Sequence, residues 1–199
     1  MQELELLDWK RRVFALYANV RAVGDVEKAW REWRDGRDAL FRSHPQSPLP
    51  AERRDGFAGC AYFDYEPALR VLGDVLSGDG GVRDVPASGG ETVRFRRFAS
   101  VRFELAGDEH ELSLYWLEGY GGGVFLPFAD ATSGSETYGG GRYLLDTVKG
   151  SDLGEADGRL VLDFNFAYNP SCSYDPRWVC PLSPPENCLD AAVRAGEQH

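Results

Sequence analysis

The chain has no isoleucine and only three lysines, against nineteen arginines in 199 residues. Isoleucine and lysine have AT-rich codons, so both shortages point to a GC-rich genome rather than to a functional device. Long apolar runs are missing too. No stretch approaches the ~20 residues that a membrane-spanning helix needs, which excludes a helical membrane span. The start, Met1-Gln-Glu-Leu-Glu5, is acidic and has no basic segment leading into an apolar one. That predicts no secretory signal and a cytoplasmic location.

The chemistry-bearing motifs are also sparse. Only four cysteines are present, and the last three, Cys172, Cys180 and Cys188, are each separated by seven residues. Zinc knuckles need a two-residue spacing. With His44, His110 and His199 as the only histidines, no metal and no cofactor are expected. Reduced, partly buried thiols follow from a cytoplasmic location; a Cys172–Cys180 disulfide is the alternative in an oxidising compartment. The Walker pattern and the Gly-x-Ser-x-Gly elbow are absent. Ser133, Glu136 or Asp130, and His44 could form a hydrolytic set only if the fold assembled them.

What is present bounds the class. Hydrophobic residues make up 43% and charged residues 27%, which excludes a largely disordered chain. The length fits one domain over residues 1–199. A helical part is expected over residues 1–44 and a β-rich body over 57–197. Net charge is −10 and uneven: residues 1–54 carry 11 basic against 9 acidic side chains, and the remainder 11 against 23. An acidic body repels phosphate backbones, so no nucleic-acid partner is expected. Oligomeric state is left open.

Periodicity divides the chain. Leu6, Trp9, Val13, Leu16 and Val20, widened by Phe14 and Tyr17, predict a helix over 3–22. Gly24 breaks it, and Asp25 is placed to cap a second helix over 26–42 with the stripe Val26, Trp30, Trp33, Leu40 and Phe41. Gly36 in its middle costs about 1 kcal/mol relative to alanine. Pro45, Pro48 and Pro50 end helix formation. From residue 57 the period becomes two. A hairpin is predicted over 100–118, with its turn at Gly107–His110, followed by a strand at 124–128. Strands at 142–148 and 160–168 are expected to pair with each other. Weaker strands are expected at 58–64, 68–74 and 92–98, and a last one over Leu189–Ala195. Roughly eight or nine short strands at hairpin spacing predict an α+β fold. In it, the N-terminal helical hairpin packs on a mainly antiparallel β-barrel or β-sandwich.

Three stretches carry a resemblance. The first is Phe41-Arg-Ser-His44-Pro45-Gln-Ser-Pro48, with Gly59-Cys-Ala-Tyr62-Phe63 after it. The second is Phe125-Leu-Pro127-Phe128-Ala-Asp130, continuing to Glu136-Thr137-Tyr138-Gly-Gly140-Gly-Arg142-Tyr143. The third is Asp163-Phe164-Asn165-Phe-Ala-Tyr168-Asn169-Pro170, with Cys180-Pro181, Pro185-Glu186-Asn187 and Ala195-Gly196-Glu197. Together they resemble domain-of-unknown-function family 1684. The resemblance implies helices at the front and strands behind, and implies no activity.

The candidate site comes from two neighbouring predicted elements. The loop 130–142 holds Asp130, Thr132, Ser133, Glu136, Thr137, Tyr138 and three glycines before Arg142. Glycines let backbone N–H groups approach a ligand, and an arginine fork suits an anion. On a strand over 160–168, Asp163 and Asn165 would share one face, with Tyr168 at its end. Glu136, Arg142, Asp163, Asn165 and Tyr168 are therefore the expected contacts of a small polar or anionic ligand. The alternatives are a cofactor-independent, hydrolase-like enzyme, with Glu136 or Asp163 as an acid/base of raised pKa, and a structural or protein-interaction module.

Overall fold

The computed structural model describes residues 1–199 except Asp79 and Tyr120. Helices α1 (Gln2–Ala22) and α2 (Val26–Ser43) form the N-terminal hairpin. Asp25 caps α2 by accepting the Lys28 N–H at 3.0 Å. Gly36 marks the crossing: a Cβ there would lie 2.4 Å from the Leu16 side chain, so the glycine lets the helices approach. His44 leaves α2 in an extended conformation, immediately before Pro45. The buried stripe of α2 is Ala29, Trp30, Trp33, Arg37, Leu40 and Phe41. In α1 only Tyr17 is fully buried, and Leu6 and Phe14 are 45% and 46% exposed. One edge of the expected α1 stripe thus faces solvent. A single turn, α3 (Ala51–Arg54), follows the proline segment.

Eight antiparallel strands form a curled sheet, a half-barrel: β1 (Arg70–Ser77), β2 (Val82–Pro86), β3 (Thr92–Leu105), β4 (Asp108–Leu117), β5 (Val124–Phe128), β6 (Arg142–Asp146), β7 (Glu155–Ala156) and β8 (Arg159–Asp163). Their order is β6-β5-β4-β3-β1-β8-β7, with β2 also on β3. The long β3 is the spine. Its N-terminal part pairs with β2, residues 99–102 pair with β1, and its other edge pairs with β4 from Phe95 to Leu105. A bulge between Arg97 and Ala99 resets its register. Beyond it Ala99, Val101, Phe103 and Leu105 point into the core with Leu112 and Leu114. The opposite face of β4 is covered as well. Ser113 and Tyr115 are buried there, where Asn187 Oδ1 accepts the Ser113 N–H and Glu186 accepts the Tyr115 hydroxyl.

The expected pairing of 142–148 with 160–168 does not form. β6 pairs with β5, and β8 with β1 and β7. What brings the two ends of the sheet together is one bridge, in which Tyr143 and Tyr168 exchange backbone hydrogen bonds of 2.9 and 3.1 Å. Strand β8 stops at Asp163 because that side chain caps a 3-10 turn over Phe164–Phe166 by accepting the Asn165 N–H. Asp163 and Asn165 are therefore neighbours in a turn, not on a pleat. The expected strand at 58–64 is reduced to a bridge between Tyr62 and Glu197. The expected strand at Leu189–Ala195 is irregular for a specific reason: the Leu189 N–H and the Ala191 carbonyl bond to Ala129 and Ala131, but the Val193 and Ala195 carbonyls face the Arg142 guanidinium instead of a neighbouring strand. Gly196, at φ +74, is required at this point, since a Cβ would sit 2.5 Å from the Ala167 carbonyl oxygen. None of the helices among the described residues is long and apolar enough to cross a membrane.

Candidate functional site

The Asp130–Arg142 loop bonds mainly to itself. Asp130 Oδ1 accepts from the Thr132 N–H and hydroxyl at 2.7 and 2.6 Å. The Thr132 carbonyl accepts three successive N–H groups, from Ser135, Glu136 and Thr137. Arg142, wholly buried, donates to Asp130 Oδ2 at 2.8 Å, to the Val193 carbonyl at 2.9 Å and to the Ala195 and Glu197 carbonyls. Its fork is occupied by the chain itself. Glu136 lies at the surface, where Arg194 grips both its oxygens at 2.8 and 2.9 Å and holds its carboxyl below the usual range.

Asp163 and Asn165 form a second buried cluster. Asn165 accepts the Glu66 N–H at 2.8 Å and donates to the Glu66 carbonyl and to Asp163 Oδ1. Asp163 Oδ2 has no hydrogen bond of its own and lies 3.7 Å from Arg70 Nε. Burial raises the Asp163 carboxyl to about 6, against the pull of Asn165 and Arg70. A raised carboxyl destabilises the fold once it ionises, so stability is fullest below about pH 4 and falls as pH rises through 6. Two units amount to about 3 kcal/mol. Asp163→Asn keeps an acceptor for Asn165. Its stability relative to the parent should rise by roughly that amount between pH 4 and 7, as urea unfolding at each pH would read. A flat difference would mean that the carboxyl titrates normally.

Only Tyr168 of the five expected residues lines the partly open cavity of about 80 Å³ between the helical hairpin and the closing ends of the sheet. Tyr17, Trp33 and Arg37 reach it from the helices, Tyr143 from β6, and Lys149, Asn169 and Tyr174 from loops. Trp33 stands edge-on to Tyr17 and to Phe166, with centroids 6.1 and 5.1 Å apart. Burial raises the hydroxyl pKa of Tyr17 to about 12, so this wall stays neutral.

The charges at this cavity are paired. Arg37 contacts Glu197 at 2.8 Å, both nearly inaccessible, and also donates to the Tyr62 and Tyr174 hydroxyls at 2.6 and 3.2 Å. Glu197 further accepts the Tyr174 hydroxyl and the Asn169 N–H. The half-exposed Lys149 pairs with Asp146 at 3.1 Å. One polar atom stands apart. Asn169 is 3% exposed, its Nδ2 donates to the Gln198 carbonyl, and its Oδ1 has no partner.

Sequence reasoning missed Arg37, Asn169 and Glu197. For Arg37 a signal existed, since it falls four residues after Trp33 and three before Leu40, on the apolar stripe of α2. Asn169 and Glu197 lie in irregular segments, where no periodicity reveals a face. Among the described residues no three His, Cys, Asp or Glu side chains gather so as to hold a metal ion.

A curled antiparallel sheet closed by a helical hairpin over an aromatic cavity defines an α+β half-barrel. Residues 55–198 match the family described as proteins of unknown function, DUF1684, and the chain belongs to that family. It is similar to an uncharacterised protein of Haloarcula marismortui whose solution NMR structure is known. The two are 37% identical, with a TM-score of 0.62, over 88% of this chain and 95% of that one. None of the curated proteins matches this chain.

Proposed function

We propose that this domain binds a small, uncharged polar molecule, or the tip of a larger one, in the cavity beside Tyr168. The carrying observation is Asn169, a residue lining the cavity whose buried Oδ1 accepts from no donor. A buried acceptor left unmade costs about 1–3 kcal/mol, which a ligand O–H or N–H would recover. Because Arg37 and Lys149 already have Glu197 and Asp146 as counter-ions, a neutral ligand fits better than the anion expected from the loop glycines. The volume matches a few heavy atoms: water occupies about 30 Å³ in the liquid. The aromatic lining favours an apolar body behind the donor group.

Ethanol, acetamide and N-methylformamide serve as neutral probes, with acetate and methylammonium as charged counterparts. The neutral set should raise the melting temperature saturably, and the charged pair should not. Val13→Phe, which adds a ring at the cavity wall, should abolish the effect while the protein still melts cooperatively. Equal stabilisation of parent and variant would place binding elsewhere and defeat the reading.

A second reading, an enzyme using a carboxyl as acid/base, is favoured by one observation. Asp163, at about 6, sits in a groove also lined by Arg70 and Arg21. A group in that range exchanges protons efficiently near neutrality. Under this reading Asp163→Asn would remove turnover while the protein remained folded.

A further inference from the structure

The segment Ser171–Pro181, which lends Ser171 and Tyr174 to the cavity wall, also brings two thiols together that the ligand reading does not use. Cys172 sits in a 3-10 turn over Ser171–Ser173 and is partly exposed. The chain then turns at Asp175–Trp178, where the Trp178 N–H reaches the Asp175 carbonyl at 3.2 Å, and comes back to Cys180. Cys180 is 4% exposed and fixed in place by Ser88, whose hydroxyl accepts its N–H at 3.1 Å and whose N–H donates to its carbonyl at 2.9 Å. The Cys172 N–H points at Cys180 Sγ at 3.4 Å, which sets the two residues side by side. On the open side, the Tyr138 hydroxyl lies 3.6 Å from Cys172 Sγ.

We propose that Cys172 is a peroxide-reactive thiol and that Cys180 resolves its oxidised form, closing a reversible disulfide. The two cysteines differ in the ways those roles require. Cys172 is reachable, and its polar neighbours, Cys180 first and then Ser88 and Tyr138, draw its thiol down to about 6. Cys180 is enclosed, and its bond to Cys172 together with burial pushes its thiol up. Cys60, by contrast, is pushed up by burial and the nearby Glu197. The thiolate is the form that attacks peroxide, and a nearby second thiol protects the product from further oxidation.

The chemistry balances. The Cys172 thiolate attacks one oxygen of a hydroperoxide, and the O–O bond breaks. The departing hydroxide or alkoxide takes a proton and leaves as water or alcohol. Sulfur loses two electrons to the peroxide and becomes a sulfenic acid. Cys180 then gives up its proton and attacks that sulfur. The S–O bond breaks and a second oxygen leaves as water. An external dithiol supplies the two electrons that restore both thiols.

The test uses the full chain and hydrogen peroxide, read by intact mass and peptide mapping. The parent should lose two hydrogens, with the disulfide mapped to Cys172–Cys180 and reversed by dithiothreitol. Cys180→Ala should stop at one added oxygen on Cys172, trapped by a cyclic 1,3-diketone. Cys172→Ser should leave Cys180 unmodified. At pH 6 Cys172 should react about ten-fold faster than the exposed Cys188, the net of a larger thiolate fraction and a lower intrinsic nucleophilicity. Reaction of Cys172 no faster than Cys188, or a parent that accumulates oxygen without forming the mapped disulfide, would overturn the proposal.

Discussion

Replacing Arg142 by methionine is expected to leave the protein largely unfolded at room temperature. The guanidinium is fully inside the fold and joins Asp130 to the carbonyls of Val193, Ala195 and Glu197. Removing one partner of a buried ion pair costs about 3–5 kcal/mol. Each carbonyl left without a donor adds about 1–3 kcal/mol. Domains have only ~5–15 kcal/mol in total. Far-UV circular dichroism and urea titration would read the loss directly. Arg142→Lys retains the charge but presents no planar fork, so it should fall between parent and methionine variant. A methionine variant with an unchanged urea midpoint would show that the C-terminal segment is held by other contacts.

Glu197→Gln is the second large effect, at about 3–5 kcal/mol of destabilisation. Its carboxylate receives Arg37, the Tyr174 hydroxyl and the Asn169 N–H. A glutamine offers one acceptor oxygen and turns an NH2 group toward donors, leaving Arg37 buried without its counter-charge. Urea midpoints of parent and variant measure the effect. Combining Glu197→Leu with Arg37→Met should recover much of the loss, because replacing a buried pair by apolar groups of similar size is frequently close to neutral. If the single variant unfolds at the parental midpoint, the pair does not support the fold.

These two residues also show where reading the sequence succeeded and where it stopped. The helical hairpin, the Asp25 cap, the β3–β4 hairpin and β5 were legible, because each is a local pattern with its own period or punctuation. The segments 58–64 and 189–195 read as strands because alternation of side chains does not say what the backbone bonds to. Here the last carbonyls of the second face an arginine side chain rather than a strand. The candidate site was legible only through Tyr168. Arg142 looked like a ligand fork by composition, and its actual acceptors are Asp130 and carbonyls some fifty residues further on. Of the two carboxyls considered for an acid/base role, burial raises Asp163, whereas Glu136 is lowered because Arg194, distant in sequence, reaches it.

The wiring of the two buried arginines has a consequence for synthesis. Arg37 is made about 160 residues before its counter-ion Glu197, and Arg142 about fifty before the carbonyls that complete it. Ribosomes add about 5–20 residues per second, so the nascent α2 must wait many seconds with a cation on its apolar stripe. The half-barrel strands can pair along the way, but the hairpin cannot settle over the cavity until residue 197 has left the exit tunnel. Contacts so far apart in sequence make closure a late event in folding.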